Sequence, residues 1–519
     1  MAEDRSQWGS KLGFILAASG SAIGLGNIVF FSANAYKFGS GAFYLPYLFA
    51  LIVVGLPLML LELSLGSHTG KAFPESLYRI AKKPAEFLGW WGVLNATIIN
   101  MYYVAILGWV LGMLVGSLTG LWSTDPVTDG AFGSLGLTNP FGYFFRMLGS
   151  WQPMLFVVGV WVINYVIVHR GAQSIEAATR WIVPLMWIAM IALIVRGVTL
   201  PAGEHGVYLL FNPNFSAMKN PEVWKGAFSQ MFFTLSLGFG IMTAYASYLP
   251  KDSDQVHNSA TISFLNCSFE FIAGLAIFSL LFAFAVVPRA STISMMFFVV
   301  PQGIANLPSF VVGFGVLFFF LLFIAGLSSS VSLLEALVAA LLDKYHWRRR
   351  TTLAVVVVGC FLGSAAFALP ILVDAEITSN GTLGLTLLDL FDHWAFSYGL
   401  LITGLVECIL IGWVFGARRL RAVINENSTL TIGVWWDVLV KLVIPGILLI
   451  LLGWGIATEI ISGLYGHDFV VDGVSGLHWI ALVLWLLFTV GTGLALTYGG
   501  GYKEETDFED LESAGEDAE

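Results

Sequence analysis

Long apolar runs separated by short polar segments dominate the pattern of this chain. A helix needs about 20 mainly apolar residues to cross a bilayer, and twelve stretches come close enough to that length to be predicted as spans. They lie near residues 12–36, 41–67, 88–119, 153–169, 178–199, 224–249, 258–288, 309–342, 351–371, 393–417, 437–461 and 477–500. The pattern therefore predicts an all-α polytopic membrane protein with twelve transmembrane helices.

Composition excludes the soluble classes. Hydrophobic residues make up 57% of the 519 residues, charged residues 11%, and the mean hydropathy is +0.82, whereas a soluble domain carries about 25% charged residues. The net charge of −10 is no sign of a basic partner, because nine of the 34 acidic residues lie in residues 504–519, a predicted disordered tail. Nucleic-acid binding has no basic patch to support it, and the three cysteines, all in apolar runs, imply no disulfide framework.

Basic residues predict the orientation. When alternate loops are assigned to opposite sides, seventeen lysines and arginines share the side of both termini and six lie on the other, with Lys441 ambiguous. Because basic loops stay in the cytoplasm, we expect cytoplasmic termini and a multi-pass protein of the plasma membrane. The N-terminus lacks the basic-then-apolar order of a cleaved signal peptide.

Two of the predicted spans contain glycines where a continuous helix is expected. The first carries SGSAIGLGN (19–27) and the sixth carries TLSLGFG (234–240). Glycine costs about 1 kcal/mol relative to alanine inside a helix, and unwound backbone at membrane depth is tolerated where it lines a cavity or binds something. Close helix packing is the alternative reading. A matched pair of breaks five spans apart is typical of two inverted five-helix repeats.

Polar residues inside the spans are candidates for function. They are Asn27, Glu62, Asn100, Tyr103, Gln230, Thr234, Ser236, Asn266, Glu270, Ser328, Ser329, Ser330, Ser332, Glu335 and Glu407. Most offer oxygen atoms, which hard cations prefer; the alternative is hydrogen bonding between helices, worth about 0.6 kcal/mol per contact. No mid-span histidine pair, phosphate-binding loop or hydrolase motif occurs. An ion channel stays open as an alternative class.

Several long strings carry a resemblance to a known family. They are RSQWGSKLGFILAASGSAIGLGN, FFTLSLGFGIMTAYASY, FIAGLSSS, GSGAFYLPY (39–47), GLPLMLLELSLG (55–66) and GLVECILIGWVFG (404–416). In these the chain resembles the neurotransmitter:sodium symporters, particularly the bacterial amino-acid members. The resemblance implies the LeuT fold and no enzyme activity. Its implied organisation is an N-terminus at 1–11, repeats at 12–199 and 224–417 joined by an extracellular loop at 200–223, two further helices at 437–500, and the tail at 501–519.

The resemblance implies two sodium sites. The first would use Ala22, Asn27, Thr234 and Asn266, and the second Gly20, Ile23, Ala325, Ser328 and Ser329. Where chloride-dependent relatives have a serine, this chain has Glu270, beside Tyr47 and Gln230. A fixed carboxylate there would replace the anion, so we expect no chloride requirement.

A substrate pocket is implied in the same way. It would comprise Ala22, Gly24, Leu25, Gly26, Ile99, Tyr103, Phe233, Thr234, Ser236, Phe239, Ser329 and Leu333. Amine-transporting members carry an aspartate at the position of Gly24. Its absence favours an amino acid, and the uncharged pocket favours a neutral one.

The implied gates depart from the family pattern in part. The inner gate would comprise Arg5, Trp8, Ser247, Tyr248 and Asp343, and the outer gate Phe30 and Asp392. Phe30 stands where the family has an arginine, so we expect Asp392 to be hydrated and closure to rest on aromatic packing by Phe30, Phe31 and Phe239 over Tyr103. In the fifth span, Ser174 replaces a glycine ten residues before Pro184. Glu335, unassigned by the resemblance, is expected to be a neutral structural residue.

These observations predict a sodium-coupled symporter that imports a neutral amino acid, or a related small zwitterion, by alternating access. Two alternatives stay open: a substrate sensor on the same fold with weak coupling, and a symporter for an atypical amine or a β- or γ-amino acid.

Overall fold

The structure is a computed structural model that describes residues 7–119, 121–122, 139–213, 215–286, 288, 291–369, 383–471 and 473–502. Within these ranges the regular elements are helices, and one isolated bridge joins Val471 and Val474. Arg5 and the predicted tail at 504–519 lie outside the described residues.

The helices follow one another through short connections. In chain order they are α1 (Lys11–Ala22), α2 (Gly26–Lys37), α3 (Ser40–Thr69), α4 (Phe73–Ser117), α5 (Asn139–Leu148), α6 (Gln152–Val168), α7 (Ala172–Val198), α8 (Glu204–Phe211), α9 (Pro221–Thr234), α10 (Ile241–Ala246), α11 (Gln255–Ala283), α12 (Thr292–Ala305), α13 (Val311–Tyr345), α14 (Arg349–Ala368), α15 (Leu383–Asn427), α16 (Val434–Ser462) and α17 (Leu477–Tyr498).

Length and composition identify the membrane-spanning helices. In the described chain nine helices are long and apolar enough to cross a bilayer, namely α3, α4, α7, α11 and α13 to α17. Two bent pairs, α1 with α2 at 55° and α5 with α6 at 84°, bring the number to as many as eleven. The pair α9 and α10 occupies the predicted sixth span, 224–249. The all-helical prediction is confirmed; twelve spans and two inverted repeats are consistent with this arrangement and stay predictions.

Both predicted helix breaks are present, and the backbone explains their sequences. Helix α1 ends where Ile23 turns to an extended conformation, with ψ of 98°. Between α9 and α10, Ser236, Gly238 and Gly240 have positive φ values of 55°, 76° and 72°. Glycine adopts such angles at no steric cost, so the glycines of TLSLGFG allow the chain to leave one helix and enter the next.

Some helices extend beyond the apolar runs that predicted them. Helix α4 begins at Phe73 rather than near residue 88, with non-helical angles at Ala81 and Lys82. Helix α7 is continuous although it contains Pro184. At the centre of the bundle α13 packs against α4, while α1 packs against α7, α11 and α13. The ends of the broken helices therefore lie in the protein interior.

Candidate functional site

An oxygen-rich cluster lies where the two helix breaks meet α11. The amide of Asn27 donates to Thr234 Oγ1 at 3.0 Å and to Asn266 Oδ1 at 2.7 Å, and its own Oδ1 accepts from the Gly24 N–H at 2.7 Å. All three polar side chains are at most 1% exposed. The structure thus brings together the residues expected to form the first sodium site.

The orientation of the Asn266 amide tests whether this cluster suits a cation. One terminal atom of that amide lies 3.2 Å from the carbonyl oxygens of both Ala22 and Thr234. If that atom is oxygen, it accepts from the Asn27 amide and faces two carbonyl oxygens, an arrangement that a cation would stabilise. If it is nitrogen, it donates to both carbonyls but lies 2.7 Å from the Asn27 amide nitrogen. Carbonyl, amide and hydroxyl oxygens are hard-cation ligands. The donor set fits a sodium ion, which would turn the oxygen inward.

Glu270 lies directly behind this cluster and is fully buried. Its carboxylate accepts hydrogen bonds from Thr234 Oγ1 at 2.7 Å, from Gln230 Nε2 at 2.8 Å and from the Tyr47 hydroxyl. Three donors are what an ionised carboxylate requires in a buried place. Because Thr234 donates its proton to Glu270, the lone pairs of its hydroxyl face the cluster. The expected contacts among Tyr47, Gln230 and Glu270 are therefore present.

The second predicted ion site lies between α1 and α13. A Cβ atom added at Gly20 would stand 3.7 Å from the Ser328 Cβ, so the two helices are in close approach. The Gly24 N–H donates to Asn27 rather than to the Gly20 carbonyl four residues back, as a continuing helix would require. Ser328 Oγ donates to the Ala325 carbonyl at 2.8 Å, whereas Ser329 Oγ donates to Ser21 O at 2.9 Å. Carbonyls and serine hydroxyls thus gather at this contact, although the Ser329 hydroxyl is turned toward Ser21.

The predicted substrate residues surround the first helix break. The Tyr103 hydroxyl lies 3.1 Å from the Leu25 N–H, which donates to it. A Cβ added at Gly24 would stand 2.7 Å from Ser329 Oγ and 2.9 Å from the Tyr103 hydroxyl. An aspartate at position 24 would therefore collide with the pocket. Ten of the twelve predicted residues are buried, and the remaining two, Phe233 and Ser329, are half-buried.

An aromatic group lies against Gly26 at the first helix break and reaches the α15 turn that follows Asp392, but its membership differs from the prediction. Phe30 packs edge-on against Phe233 at 5.5 Å between ring centroids, and Phe233 packs against Phe396 at 5.1 Å. The expected role of Phe31 is wrong, because its ring packs instead against Phe43, Tyr44 and Tyr47. We call Phe30, Phe233 and Phe396 the aromatic lid. Nothing local in the sequence distinguishes Phe396 from other apolar residues of its span.

Asp392 has a partner that the sequence did not reveal. The Tyr102 hydroxyl donates to Asp392 Oδ1 at 2.6 Å. A neutral hydroxyl donor on α4 thus contacts Asp392, and the expected hydration of its carboxylate stays a prediction. Tyr102 is adjacent to the predicted pocket residue Tyr103, so the predicted outer-gate aspartate is joined to α4 itself.

A cavity of about 590 Å³ lies beside the lid, between α9, α15 and α16. Its wall includes Phe396, His393, Glu459 and Tyr465. The His393 ring stacks on Tyr465 at 4.0 Å and bonds to Glu459 at 2.6 Å. Burial, followed by the nearby Asp389 carboxylate, raises the pKa of Tyr465, so its hydroxyl stays protonated and donates to Asp389 at 2.8 Å.

At the predicted inner gate, aromatic and polar contacts close the bundle. Trp8 Nε1 donates to the Tyr245 carbonyl at 2.8 Å, and its ring lies 6.3 Å from that of Tyr248. Asp343 accepts from the Ala72 N–H at 2.7 Å, and Ser247 donates to Ala244 O at 2.6 Å. The gate prediction for Arg5 falls outside the described residues.

Glu335 is not the isolated neutral residue that was expected. Its carboxylate forms an ion pair with Arg349, and Oε1 accepts from the Tyr248 hydroxyl at 2.6 Å. Arg349 also donates to the Val168 carbonyl at 2.8 Å. The expectation is wrong because Arg349, one of three consecutive arginines that read as a basic loop, folds back onto α13. Glu335 belongs to the inner-gate contacts.

Comparisons with known proteins agree with this geometry. A family model described as the sodium:neurotransmitter symporter family matches residues 5–127 and 145–493. The uncharacterized sodium-dependent transporter MJ1319 of Methanocaldococcus jannaschii is 37% identical over 94% of this chain and 96% of its own length. The human sodium- and chloride-dependent GABA transporter 2 is 29% identical, over 80% of this chain and 74% of its own. The solved structure of MhsT in complex with L-phenylalanine superposes with a TM-score of 0.74 at 33% identity, covering 86% of this chain and 99% of that one.

Proposed function

The chain belongs to the sodium:neurotransmitter symporter family, with the LeuT fold of its structural relative MhsT, and we propose that it imports a neutral amino acid together with sodium. The observation that carries the proposal is the convergence of Asn27, Thr234 and Asn266 beside an amide-lined pocket. The chain is a transporter rather than an enzyme.

The pocket supports a zwitterionic substrate. Leu25 and Gly26 present backbone amides at the break after α1, and the Tyr103 hydroxyl lies beside Leu25. Amides and the positive end of a half-helix attract a carboxylate, while the carbonyls of Ala22 and Thr234 are acceptors for an ammonium group. Phe239, Ile99 and Leu333 are buried apolar residues of the predicted pocket and would favour an apolar side chain. The phenylalanine bound to MhsT makes that amino acid the first one to test.

Sodium is the co-transported substrate in this proposal, and two ions are expected. Ala22, Asn27, Thr234 and Asn266 would hold the first, and Gly20, Ile23, Ala325, Ser328 and Ser329 the second. Glu270 would supply a negative charge behind the first set when sodium is bound, because an adjacent cation favours the ionised carboxylate. Transport is therefore expected to proceed without chloride, in contrast to the relatives named as sodium- and chloride-dependent.

Alternating access would use the two sets of closing contacts. The aromatic lid covers the pocket on the side proposed to be extracellular, and Trp8 with Tyr248 closes the side proposed to be cytoplasmic, where both termini of a plasma-membrane protein would lie. Because the pocket is formed at breaks in two helices, each half-helix can move while the other keeps its contacts.

The test measures substrate binding and uptake with purified protein. Binding of radiolabelled phenylalanine, other neutral amino acids and a γ-amino acid is measured in sodium and in potassium, and uptake into proteoliposomes follows under a sodium gradient. We expect binding in sodium alone and uphill uptake. Binding that is equal in potassium overturns sodium coupling, and sodium-dependent binding without uptake favours the sensor.

Variants locate the ion requirement. Asn27→Ala and Asn266→Ala should abolish sodium-stimulated binding, because each removes a buried oxygen from the cluster. Asn164→Ala is the matched control: Asn164 is also fully buried, but its amide donates to the Val160 carbonyl within α6. Loss of binding in the control alone, or in all three variants equally, would contradict the assignment.

A further inference from the structure

A buried carboxylate on α7 holds the beginning of α1. Glu176 is 4% exposed. Its Oε2 accepts from the Gly9 N–H at 2.6 Å and its Oε1 from the Ser10 hydroxyl at 2.9 Å. Both donors lie immediately before α1, so these bonds join the first turn of one helix to the side of another.

The surrounding residues are shaped to receive this carboxylate. A Cβ added at Gly13 would overlap the Glu176 side chain, and one added at Gly9 would stand 3.3 Å from its Oε2. Ser10 caps α1 by accepting from the Gly13 N–H at 3.0 Å while it donates to Glu176. Two glycines, one turn apart, thus open the face of α1 on which the carboxylate lies.

Charge also favours this arrangement. Arg180, one turn further along α7, lies 2.5 Å from Glu176 Oε1 and donates to Ser10 Oγ at 3.1 Å. The beginning of a helix carries a partial positive charge, and Glu176 accepts from it directly. Glu176 therefore keeps Arg180 as a partner on its own helix, but it keeps the donors Gly9 and Ser10 only while α1 holds its present position against α7.

The position of α1 matters because it ends among the proposed ion ligands. The helix has 12 residues and spans about 18 Å at 1.5 Å per residue, so its beginning and the carbonyls of Gly20 and Ala22 move together. Trp8 ties the same region to α10, which is itself half of a broken helix. Glu176 instead ties it to α7, a continuous helix.

We propose that Glu176 is the positioning residue that anchors α1 to α7 and so keeps the α1 carbonyls in place for sodium. The inference rests on the proposed function. When the bundle opens on the side of Trp8, α1 moves away from α7 and the bonds from Gly9 and Ser10 to Glu176 break. Sodium binding opposes this opening because a ligand stabilises the conformation to which it binds.

The experiment reports the position of α1 through a single cysteine. The hydroxyl of Ser19, on α1, is buried and has no partner in the described part of the chain, so Ser19→Cys introduces a thiol without breaking a bond. Its rate of alkylation is measured in sodium and in potassium, alone and combined with Glu176→Gln. Glu222→Gln, which alters an exposed glutamate on α9, is the matched control.

We expect Glu176→Gln to speed alkylation at least tenfold in potassium and to raise the sodium concentration for half-maximal substrate binding by a similar factor. Saturating sodium should return the alkylation rate toward that of the parent. Glu176→Asp, which keeps the charge, should recover part of the effect.

The other outcomes distinguish failure of the anchor from failure of the proposed function. Alkylation of Glu176→Gln at the parent rate, with sodium protection intact, shows that Glu176 does not anchor α1. Faster labelling that sodium does not reverse, accompanied by labelling of the buried native cysteines Cys267, Cys360 and Cys408, indicates a general loss of structure. Absence of sodium protection in the parent protein is a failure of the proposed function rather than of the anchor.

Discussion

Replacing Glu270 by serine removes the carboxylate behind the proposed sodium site. The serine keeps a hydroxyl for hydrogen bonding but leaves Tyr47, Gln230 and Thr234 as three donors around a vacant volume. Donors that converge on a vacant volume favour an anion. The variant should therefore bind sodium poorly without chloride and recover when chloride is supplied.

The distances set the size of the effect. Thr234 Oγ1 is 2.7 Å from Glu270 Oε1, and a hard cation lies roughly 2.4 Å from its ligand oxygens, which places a bound ion about 5 Å from the carboxylate. Two unit charges at about 5 Å attract by about 3 kcal/mol at an effective dielectric constant of about 20. Since about 1.4 kcal/mol is a factor of ten, sodium affinity should fall about a hundredfold.

The assay titrates sodium at fixed labelled substrate, with gluconate or chloride as the only anion. Wild-type protein should give the same curve in both, and Glu270→Ser should give a weaker curve that chloride restores. Glu270→Gln is the control: its amide fills the volume without charge, so sodium binding should weaken and chloride should not repair it. The reasoning would be refuted if wild-type protein lost substrate binding in gluconate. It would also be refuted if Glu270→Ser, in gluconate, needed no more sodium than wild type for half-maximal binding.

Three further variants test the aromatic lid, the predicted outer-gate aspartate and a buried ion pair between Glu86 and Lys344. Phe233→Ala removes two ring contacts of about 1 kcal/mol each, so bound substrate should dissociate at least tenfold faster in a radioligand release assay; an unchanged rate would exclude the aromatic lid. Asp392→Asn should change substrate affinity less than threefold, because the Tyr102 hydroxyl can donate to an amide oxygen as well; loss of binding would show that the charge is engaged. Glu86→Gln leaves the fully buried Lys344 without its counter-charge, which costs about 3–5 kcal/mol, and a thermal midpoint within one degree of wild type would contradict that ion pair.

Hydropathy located the membrane helices because a helix that crosses a bilayer needs a long apolar stretch. It could not locate helical segments that continue outside the bilayer. At the predicted end near 417 the chain turns at Gly416, whose φ is 96°, and a charged helical segment over Ala417–Asn427 follows that hydropathy reads as a loop. Before residue 88, a polar helical segment begins at Phe73 and meets the rest of α4 at the non-helical residues Ala81 and Lys82. A helical end outside the bilayer can carry any polar residue, so its sequence resembles that of a loop.

The family resemblance located the cluster of Asn27, Thr234 and Asn266, since each lies in a long matching string. It did not reveal Tyr102 as the partner of Asp392, or Arg349 as the partner of Glu335. Those pairs join residues 290 and 14 positions apart, and no periodicity in either helix signals the other. Partners so distant in the sequence are set by tertiary packing alone.

Three of the buried glutamates, Glu176, Glu62 and Glu270, each contact an end of a broken helix. Backbone groups at a helix end lack partners within the helix. Other buried glutamates, such as Glu86 and Glu335, pair with basic side chains instead. Glu176 accepts from Gly9 before α1, Glu62 accepts from the Gly238 N–H at 2.7 Å before α10, and Glu270 accepts from Thr234 at the end of α9.

A carboxylate is costly at membrane depth, but an unpaired amide there is costly as well, and pairing the two lowers both penalties. Such a pair is stable in one arrangement of the half-helix and unsatisfied when the half-helix moves away. Under the proposed alternating access, such carboxylates would make the transition between the two arrangements discrete, and a discrete transition keeps both gates from opening at once.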